Sequence, residues 1–278
     1  MTIRNLETHA VIKWRITELC NFKCPYCIRK PIANEEYKWD IMETVKQINK
    51  FAEQFDKPVK VDLIGGEVTV LPNLKEVIDN LNVDKVNITT NFELDPPEGN
   101  KITATLSYHP SQTKYSIEEW FERASYYRNK IRYCKVETVK AEDATHIDRF
   151  IELATAYSLD YQVEEDLLNP NLKGEKISTM KSNPRYEVIF DDGHKELFAT
   201  RNSFLKKYGF QGLVVSTENK LCTRDVDYVY IEKDMVWSCD KKYPISEFKL
   251  RKPHPCLKSK GYCTLCGNIS LISNAKEK

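Results

Sequence analysis

Short apolar runs alternate along the chain with amphipathic stretches of helical spacing, a pattern that predicts alternating strands and helices. Six runs rich in apolar and β-branched residues predict strands at 11–17, 60–64, 85–90, 102–108, 135–139 and 161–164. Helical spacing predicts helices at 40–55, 74–81, 116–132 and 143–157. Ser116 and Glu119 form a capping-box pattern at the start of the third helix.

Repeated alternation of strand and helix favours parallel β-α units, and therefore an α/β fold. In barrels built from such units, the chemistry collects at the C-terminal edge of the strands. The first predicted strand leads into Cys20 and the second leads into Gly65. We therefore expect both segments to lie on the same rim.

The periodicity breaks after Asp166, which suggests three segments. We predict a core at 1–170, a connector at 171–215 and a C-terminal domain at 216–278. Within the connector, apolar runs at 186–190 and 195–199 flank Asp192 and Gly193, which is a strong hairpin signal. A second hairpin is predicted around residues 232–234.

Composition narrows the class of protein. With 278 residues, 41% of them hydrophobic, the chain can form one sizeable core and a small appendage. The formal net charge of +1 gives no reason to expect nucleic-acid binding. We see neither a signal peptide nor a membrane-spanning run, so a cytoplasmic location is expected. In a reducing compartment, nine cysteines favour metal or cluster ligation over disulfides.

Three cysteines form the motif Cys20-x3-Cys24-x2-Cys27, with Tyr26 before the last. This spacing suits three thiolate ligands of a [4Fe-4S] cluster with one iron left open. The alternatives are a zinc knuckle or buried thiols, but no fourth Cys or His lies within about twenty residues downstream. The motif resembles the signature of the radical S-adenosylmethionine (radical SAM) enzymes.

That resemblance implies a partial (β/α)6 TIM-like barrel in which S-adenosylmethionine binds the open iron and is cleaved to a 5′-deoxyadenosyl radical. It also implies an electron donor such as flavodoxin or ferredoxin. Tyr26 occupies the position of the family's adenine contact, and Gly65, Gly66 and Glu67 that of its Gly-Gly-Glu segment, which meets the methionine ammonium. Polar residues at strand ends are positional candidates: Thr90, Asn91, Ser107 and Gln162 for the cofactor, and His109 and Glu137 for catalysis. Glu164, Glu165 and Asp166 form an acidic run that either lines the pocket or is solvated.

Five further cysteines lie in the tail: Cys222, Cys239, Cys256, Cys263 and Cys266. Their pattern resembles the SPASM and twitch domains, which hold auxiliary iron-sulfur clusters, although Asp234 stands where those domains have a glycine. The resemblance implies one auxiliary [4Fe-4S] cluster on Cys222, Cys239, Cys263 and Cys266, with Cys256 left over or replacing one ligand. A four-thiolate zinc site is the alternative. Cys134 lies in a predicted strand and is expected to be a core thiol.

The resemblance implies hydrogen-atom abstraction from a small molecule or a protein side chain, with a net oxidation assisted by the auxiliary cluster. A ribosomal-peptide maturase that forms crosslinks or epimers is the second interpretation. It is disfavoured because only nineteen residues precede Cys20 and no later segment resembles a leader-binding domain. The third is a zinc-binding structural adaptor without enzymatic activity.

Overall fold

The computed structural model describes residues 2–5, 8–27, 40–140, 144–165, 177–178, 186–189, 192–198, 220–222, 228–238, 242–250, 254–255 and 272–274. The strands are β1 Thr2–Asn5, β2 Ala10–Thr17, β3 Val59–Gly65, β4 Lys85–Thr90, β5 Gly99–Tyr108, β6 Ile131–Lys140, β7 Asp160–Glu165, β8 Ile177–Ser178, β9 Tyr186–Ile189, β10 Lys195–Phe198, β11 Lys220–Cys222, β12 Tyr228–Glu232, β13 Met235–Trp237, β14 Lys242–Pro244, β15 His254–Pro255 and β16 Ile272–Asn274. The helices are α1 Ile41–Ala52, α2 Leu74–Asn80, α3 Ile117–Arg128 and α4 Ile147–Ala156, with short 3-10 helices at Val68–Val70, Ala144–His146 and Ile245–Glu247.

The chain forms two compact units. The first consists of Met1–Ile12, Lys50–Val59 and Lys181–Lys278, and the second of Lys13–Asn49 and Lys60–Met180. The predicted domain boundaries near residues 170 and 215 fall outside the described residues, so that division stays a prediction. No helix within the described ranges is long and apolar enough to cross a membrane.

A parallel sheet forms the centre of the second unit. Its strands follow the order β2-β3-β4-β5-β6-β7, and the short β8 joins β7 in the antiparallel direction. Every pairing from β3 to β7 is parallel. The six predicted strands are therefore confirmed, and their spatial order equals their order in the chain, as in a partial (β/α) barrel.

Residues 91–98, all of them described, contain no helix between β4 and β5, in agreement with the positions of the four predicted helices. Side chains of α3 hold this segment instead. Arg123 Nη1 donates to the Phe92 carbonyl at 2.9 Å, and the Tyr127 hydroxyl donates to the Pro97 carbonyl at 2.7 Å. Helices consequently follow only β2, β3, β5 and β6 in the described part of this unit.

Helix boundaries also differ from those predicted. The capping box of Ser116 and Glu119 is confirmed, but α3 ends at Arg128 instead of residue 132. Its end is closed by Asn129, whose N–H donates to the Tyr126 carbonyl at 3.2 Å. Ile131 then begins β6 opposite Gly99, because pairing in the sheet outweighs continued helical spacing.

The two faces of the parallel sheet differ in chemistry. One face carries fully buried apolar side chains, such as Leu63 and Ile88, and helices cover it. Tyr108 on this face lies 5.3 Å from the Trp120 ring of α3 and 6.2 Å from the Phe150 ring of α4. The opposite face is polar at Lys60, Asp62, Asn87, Thr89, Thr103, Thr105, Ser107, Lys135 and Glu137. Parallel sheets usually bury apolar residues on both faces, so a polar face that includes the buried Thr105 and Ser107 is unusual.

The first unit contains the two predicted hairpins. β9 and β10 pair in the antiparallel direction, with Gly193 at φ 85° in the turn, and β1 pairs with β9 on the other side. β12 and β13 form the second hairpin, and β14 extends it. The left-handed residue of this second turn is Lys233 at φ 59°, not Asp234. β11 lies between β15 and β16.

Candidate functional site

The loop that follows β2 carries the three motif cysteines. Cys20, Cys24 and Cys27 are free thiols and are partly exposed. The Cys27 N–H donates to the Cys24 carbonyl at 3.1 Å, and the Phe22 N–H donates to Cys20 Sγ at 3.4 Å. The loop therefore turns twice within eight residues, which keeps the three thiols on one short segment.

Electrostatics disfavour bare thiolates at Cys20 and Cys24. Burial raises the pKa of Cys24 to about 11, and the neighbouring charges of Cys20 and Cys27 add to the effect. Burial also raises the pKa of Cys20, as do Glu67 and Cys27. A bound cation lowers the pKa of a coordinating thiol, so positive charge supplied at this loop would favour the thiolates.

The three motif thiols are fewer than the four ligands of a structural zinc ion. Within the described ranges, no group of three or more His, Cys, Asp or Glu side chains is arranged to hold one metal ion. A structural zinc ion needs about four ligands at roughly 2.3 Å from one centre. In a [4Fe-4S] cluster each thiolate binds its own iron, so the three sulfurs stay further apart.

Gly65 and Gly66 lie against the backbone that begins the cysteine loop. A Cβ on Gly65 would lie 2.2 Å from the Thr17 carbonyl oxygen, and one on Gly66 would lie 2.2 Å from the Leu19 carbonyl oxygen. The Gly66 N–H donates to the Thr17 carbonyl at 3.0 Å, and the Glu67 N–H donates to the Leu19 carbonyl at 2.7 Å. The glycines thus allow the end of β3 to pair with the segment directly before Cys20.

Glu67 is buried, with a relative exposure of 1%. Its Oε1 accepts from the Thr69 N–H at 2.9 Å, from the Thr69 hydroxyl at 2.7 Å and from the Thr90 hydroxyl at 2.7 Å. Its Oε2 accepts from the Asn91 N–H at 2.5 Å. Burial raises the pKa of this carboxyl, while the four hydrogen bonds lower it. In this structure the side chain ties the end of β3 to the end of β4.

Asn91 extends this network to the cysteine loop. Its Nδ2 donates to Asn21 Oδ1 at 2.7 Å, and its Oδ1 accepts from the Glu93 N–H at 3.1 Å. Thr90 is 1% exposed, and its hydroxyl accepts from the Phe92 N–H at 3.0 Å besides donating to Glu67. The structure therefore brings Glu67, Thr90 and Asn91 together, beside the residue that follows Cys20.

His109 contacts the cysteine loop from the end of β5. Its Nδ1 lies 2.8 Å from the Tyr26 hydroxyl, and the two rings stack with centroids 5.8 Å apart. Phe22 packs edge-on against the imidazole at 5.9 Å. Burial lowers the pKa of His109 to about 4, so the ring is neutral at neutral pH. In addition, the Lys23 N–H donates to Gln112 Oε1 at 2.9 Å.

Three predicted site residues form a row across neighbouring strands. Ser107 of β5 lies opposite Glu137 of β6, and Glu137 lies opposite Gln162 of β7. The Ser107 hydroxyl donates to Glu137 Oε1 at 2.8 Å, and Lys135 Nζ lies 3.3 Å from Glu137 Oε2. Glu164 is half-buried in β7, and Asp166 lies outside the described residues. This row gives the polar face a half-buried ion pair near the rim.

Several contacts were missed by the sequence reasoning. Asn21, Gln112 and Lys135 each bond to a predicted site residue or to the cysteine loop. Asn21 directly follows Cys20, and Gln112 is three residues after His109, so adjacency to the motifs was the available signal.

The predicted auxiliary ligands are placed only in part. Cys222 ends β11, and its register partner in β15 is His254. Cys239, Cys256, Cys263 and Cys266 lie outside the described residues. Cys134 is 4% exposed in β6, which confirms the predicted core thiol.

The chain is similar in sequence to known enzymes, although no family model matches it. A GTP 3',8-cyclase of Staphylococcus haemolyticus is 29% identical over 96 residues, which are 31% of this chain and 28% of the cyclase. A protein assigned as a glycyl-radical enzyme activating enzyme in Methanocaldococcus jannaschii is 26% identical over 205 residues, or 62% of this chain and 75% of that protein. The chain thus spans less than a third of the cyclase that it matches.

The fold is similar to that of SuiB from Streptococcus suis, solved with S-adenosylmethionine. The TM-score is 0.53 at 15% identity, and the match covers 87% of this chain and 62% of SuiB. These comparisons agree with an enzyme and not with a zinc-binding adaptor. The chain is thus similar in sequence and in fold to radical S-adenosylmethionine enzymes.

Proposed function

We propose that the chain cleaves S-adenosylmethionine reductively and uses the resulting 5′-deoxyadenosyl radical to abstract a hydrogen atom from its substrate. The observation that carries this proposal is the loop with Cys20, Cys24 and Cys27, which is tied to the ends of three neighbouring strands. Cys20, Cys24 and Cys27 would hold a [4Fe-4S] cluster, which would supply the electron for cleavage of the sulfonium C–S bond, with methionine as the leaving group. Flavodoxin or ferredoxin is the expected class of electron donor.

The residues around the loop then orient the cofactor. Tyr26 would lie against the adenine, and the backbone of Gly65 and Gly66 would face the methionine ammonium. The Glu67 side chain contributes by holding Thr90 and Asn91, because its four hydrogen bonds occupy it internally. Ser107 and Gln162 are candidate contacts to the ribose and the methionine carboxylate.

The polar face of the sheet supports a polar substrate. Glu137 is held by Ser107 and Lys135 and is about one-fifth exposed, so it is available to bind a substrate group or to accept a proton. A charged or hydrogen-bonding group on a small molecule or a protein side chain would replace water on this face at little cost.

We further propose an auxiliary [4Fe-4S] cluster on Cys222, Cys239, Cys263 and Cys266. A fully ligated cluster there would accept the electron left on the substrate after hydrogen abstraction, so that the net reaction is an oxidation. The pairing of β11 with β15 supports testing Cys256 as well, because Cys256 directly follows β15 in the chain.

A ribosomal peptide is the second substrate class to test, with crosslinking or epimerisation as the reaction. SuiB, which shares the fold at a TM-score of 0.53, has been solved with its precursor peptide SuiA. The two substrate classes are distinguished by the source of the abstracted hydrogen atom. Deuterium from a labelled peptide would appear in 5′-deoxyadenosine only if the peptide is the hydrogen donor.

The test is anaerobic iron and sulfide analysis, with electron paramagnetic resonance of the reduced protein before and after addition of S-adenosylmethionine. About eight irons per chain, with one signal changed by S-adenosylmethionine, are expected for two clusters. About four irons would contradict the auxiliary cluster, and a colourless zinc protein would contradict the whole proposal.

Variants assign the two sites. Cys24→Ala should abolish formation of 5′-deoxyadenosine. Cys263→Ala should lower iron content yet leave some abortive cleavage, and unchanged iron would refute the auxiliary assignment. Cys134→Ala is the matched control, because that thiol is buried in β6 and should affect neither iron nor cleavage.

A further inference from the structure

We propose that His109 is a positioning residue that fixes the orientation of Tyr26, and not a group that transfers protons. This inference rests on the proposed binding of S-adenosylmethionine at the cysteine loop. It replaces the catalytic role that the position of His109 at a strand end suggested.

The imidazole is held between two aromatic residues of the cysteine loop. Tyr26 stacks on it at an interplanar angle of 24°, and Phe22 meets it at 89°. The hydrogen bond of 2.8 Å between Nδ1 and the Tyr26 hydroxyl fixes the rotation of the phenol relative to the ring. The phenol is thus held to the imidazole by one ring contact and one hydrogen bond, and Phe22 packs against the same imidazole.

The turn after β5 holds the same loop at a second point. The N–H groups of Gln112 and Thr113 both donate to the His109 carbonyl at 3.0 Å, which closes the turn. From this turn the Gln112 side chain accepts the Lys23 N–H at 2.9 Å. His109 and Gln112 therefore hold residues on either side of Cys24 and transmit the position of β5 to the loop.

The protonation state agrees with a positioning role. Burial lowers the pKa of His109 to about 4, so the ring has no proton to give up as an acid near neutral pH. A neutral imidazole can hydrogen-bond the Tyr26 hydroxyl through Nδ1 as donor or as acceptor, depending on its tautomer. The geometry thus uses the ring as a fixed hydrogen-bond partner.

A double-mutant cycle tests the pair. In reconstituted protein, the affinity for S-adenosylmethionine is measured by titration of the electron paramagnetic resonance change in the parent, His109→Phe, Tyr26→Phe and the double variant. Loss of one hydrogen bond should weaken binding roughly threefold to tenfold in each single variant. The double variant should bind no more weakly than the weaker single variant, because both changes remove the same bond.

A second readout uses protein without cofactor. Lys23 is exposed, and trypsin cleavage after it reports how firmly the loop is held. We expect faster cleavage at Lys23 in His109→Phe and partial rescue in His109→Gln, whose amide can still hydrogen-bond the Tyr26 hydroxyl. His146→Phe is the matched control: His146 also contacts a hydroxyl, that of Thr138 at 3.0 Å, and a tyrosine ring, but in the helix-covered core.

The outcomes separate the inference from the proposed function. If the parent does not bind S-adenosylmethionine, the proposed function fails, whereas the tryptic result still tests the hold on the loop. The positioning role is overturned if His109→Phe keeps parental affinity and parental cleavage at Lys23, or if it stops product formation without weakening binding. Additive effects in the double variant would overturn it as well.

Discussion

Gly66→Ala offers a strong test of how the sheet holds the cysteine loop. The new Cβ would lie 2.2 Å from the Leu19 carbonyl oxygen and 2.7 Å from that of Glu18. Because Cβ atoms essentially never approach other atoms within 3.0 Å, the loop backbone has to withdraw by about 0.8 Å. Leu19 also accepts the Glu67 N–H at 2.7 Å, so the withdrawal stretches that hydrogen bond to the limit of a useful length.

The cost follows from these two effects. Forcing an extra methyl group into a packed site costs ~1–3 kcal/mol, and leaving a buried N–H without a partner costs ~1–3 kcal/mol. We expect the free energy of unfolding to fall by about 3 kcal/mol. Since Leu19 directly precedes Cys20, the iron content of reconstituted protein should fall too.

Urea unfolding measures the stability, with tryptophan fluorescence as the signal because Trp14 and Trp120 are fully buried in the same unit. Gly193→Ala is the matched control. Gly193 has open space around its α-carbon but a φ of 85°, so alanine there should cost only about 1 kcal/mol and leave iron unchanged. Equal stability and equal iron in the two variants would refute the proposed contact between β3 and the loop.

Three further predictions concern buried titratable groups. Glu67→Gln should lower the free energy of unfolding by about 2 kcal/mol in urea melts, because the NH2 group of the amide cannot accept a hydrogen bond from the donors that now bond to the carboxylate. A more stable variant would show that burying the carboxylate charge costs more than its four hydrogen bonds contribute. The free energy of unfolding of the parent should fall by up to about 2 kcal/mol when the pH is lowered from 6.5 to 5 in urea melts. Over this interval His109 becomes protonated in the unfolded chain but stays neutral in the native protein, where its pKa is about 4. His109→Phe should lose correspondingly less over the same interval. Cys134 should not react with iodoacetamide until the protein unfolds, because burial raises its pKa to about 12. Mass spectrometry of the labelled peptides measures this reaction, and labelling of Cys134 in the native protein would contradict the prediction.

The strands could be predicted because each alternates between a covered and a polar face. In β3, for example, Val61 and Leu63 are buried while Lys60 and Asp62 are partly exposed. The contacts that hold the segment between β4 and β5 could not be predicted in this way, since they come from Arg123 and Tyr127, which are about thirty residues away along the chain.

The sequence nominated candidate site residues but not the contacts that they make. The motif spacing and the strand ends nominated Glu67, Asn91 and His109. Their partners depend on which strands are neighbours, because Glu67 meets Thr90 only when β3 lies beside β4. His109 likewise meets Tyr26 across a sequence separation of 83 residues. Sequence position therefore suggested a catalytic histidine where the structure shows a ring packed against the loop.

In the parallel sheet, the residues that stabilise the fold and the residues that could contact a ligand lie on opposite faces. Folding depends on the helix-covered side, where residues such as Ile88 and Val136 are fully buried. Replacement of Lys135 or Thr103, which are partly exposed on the other side, changes the groups offered to a ligand without altering those buried residues. A descendant of this chain can therefore acquire a different substrate through changes on one face of β5 and β6, without first acquiring additional stability.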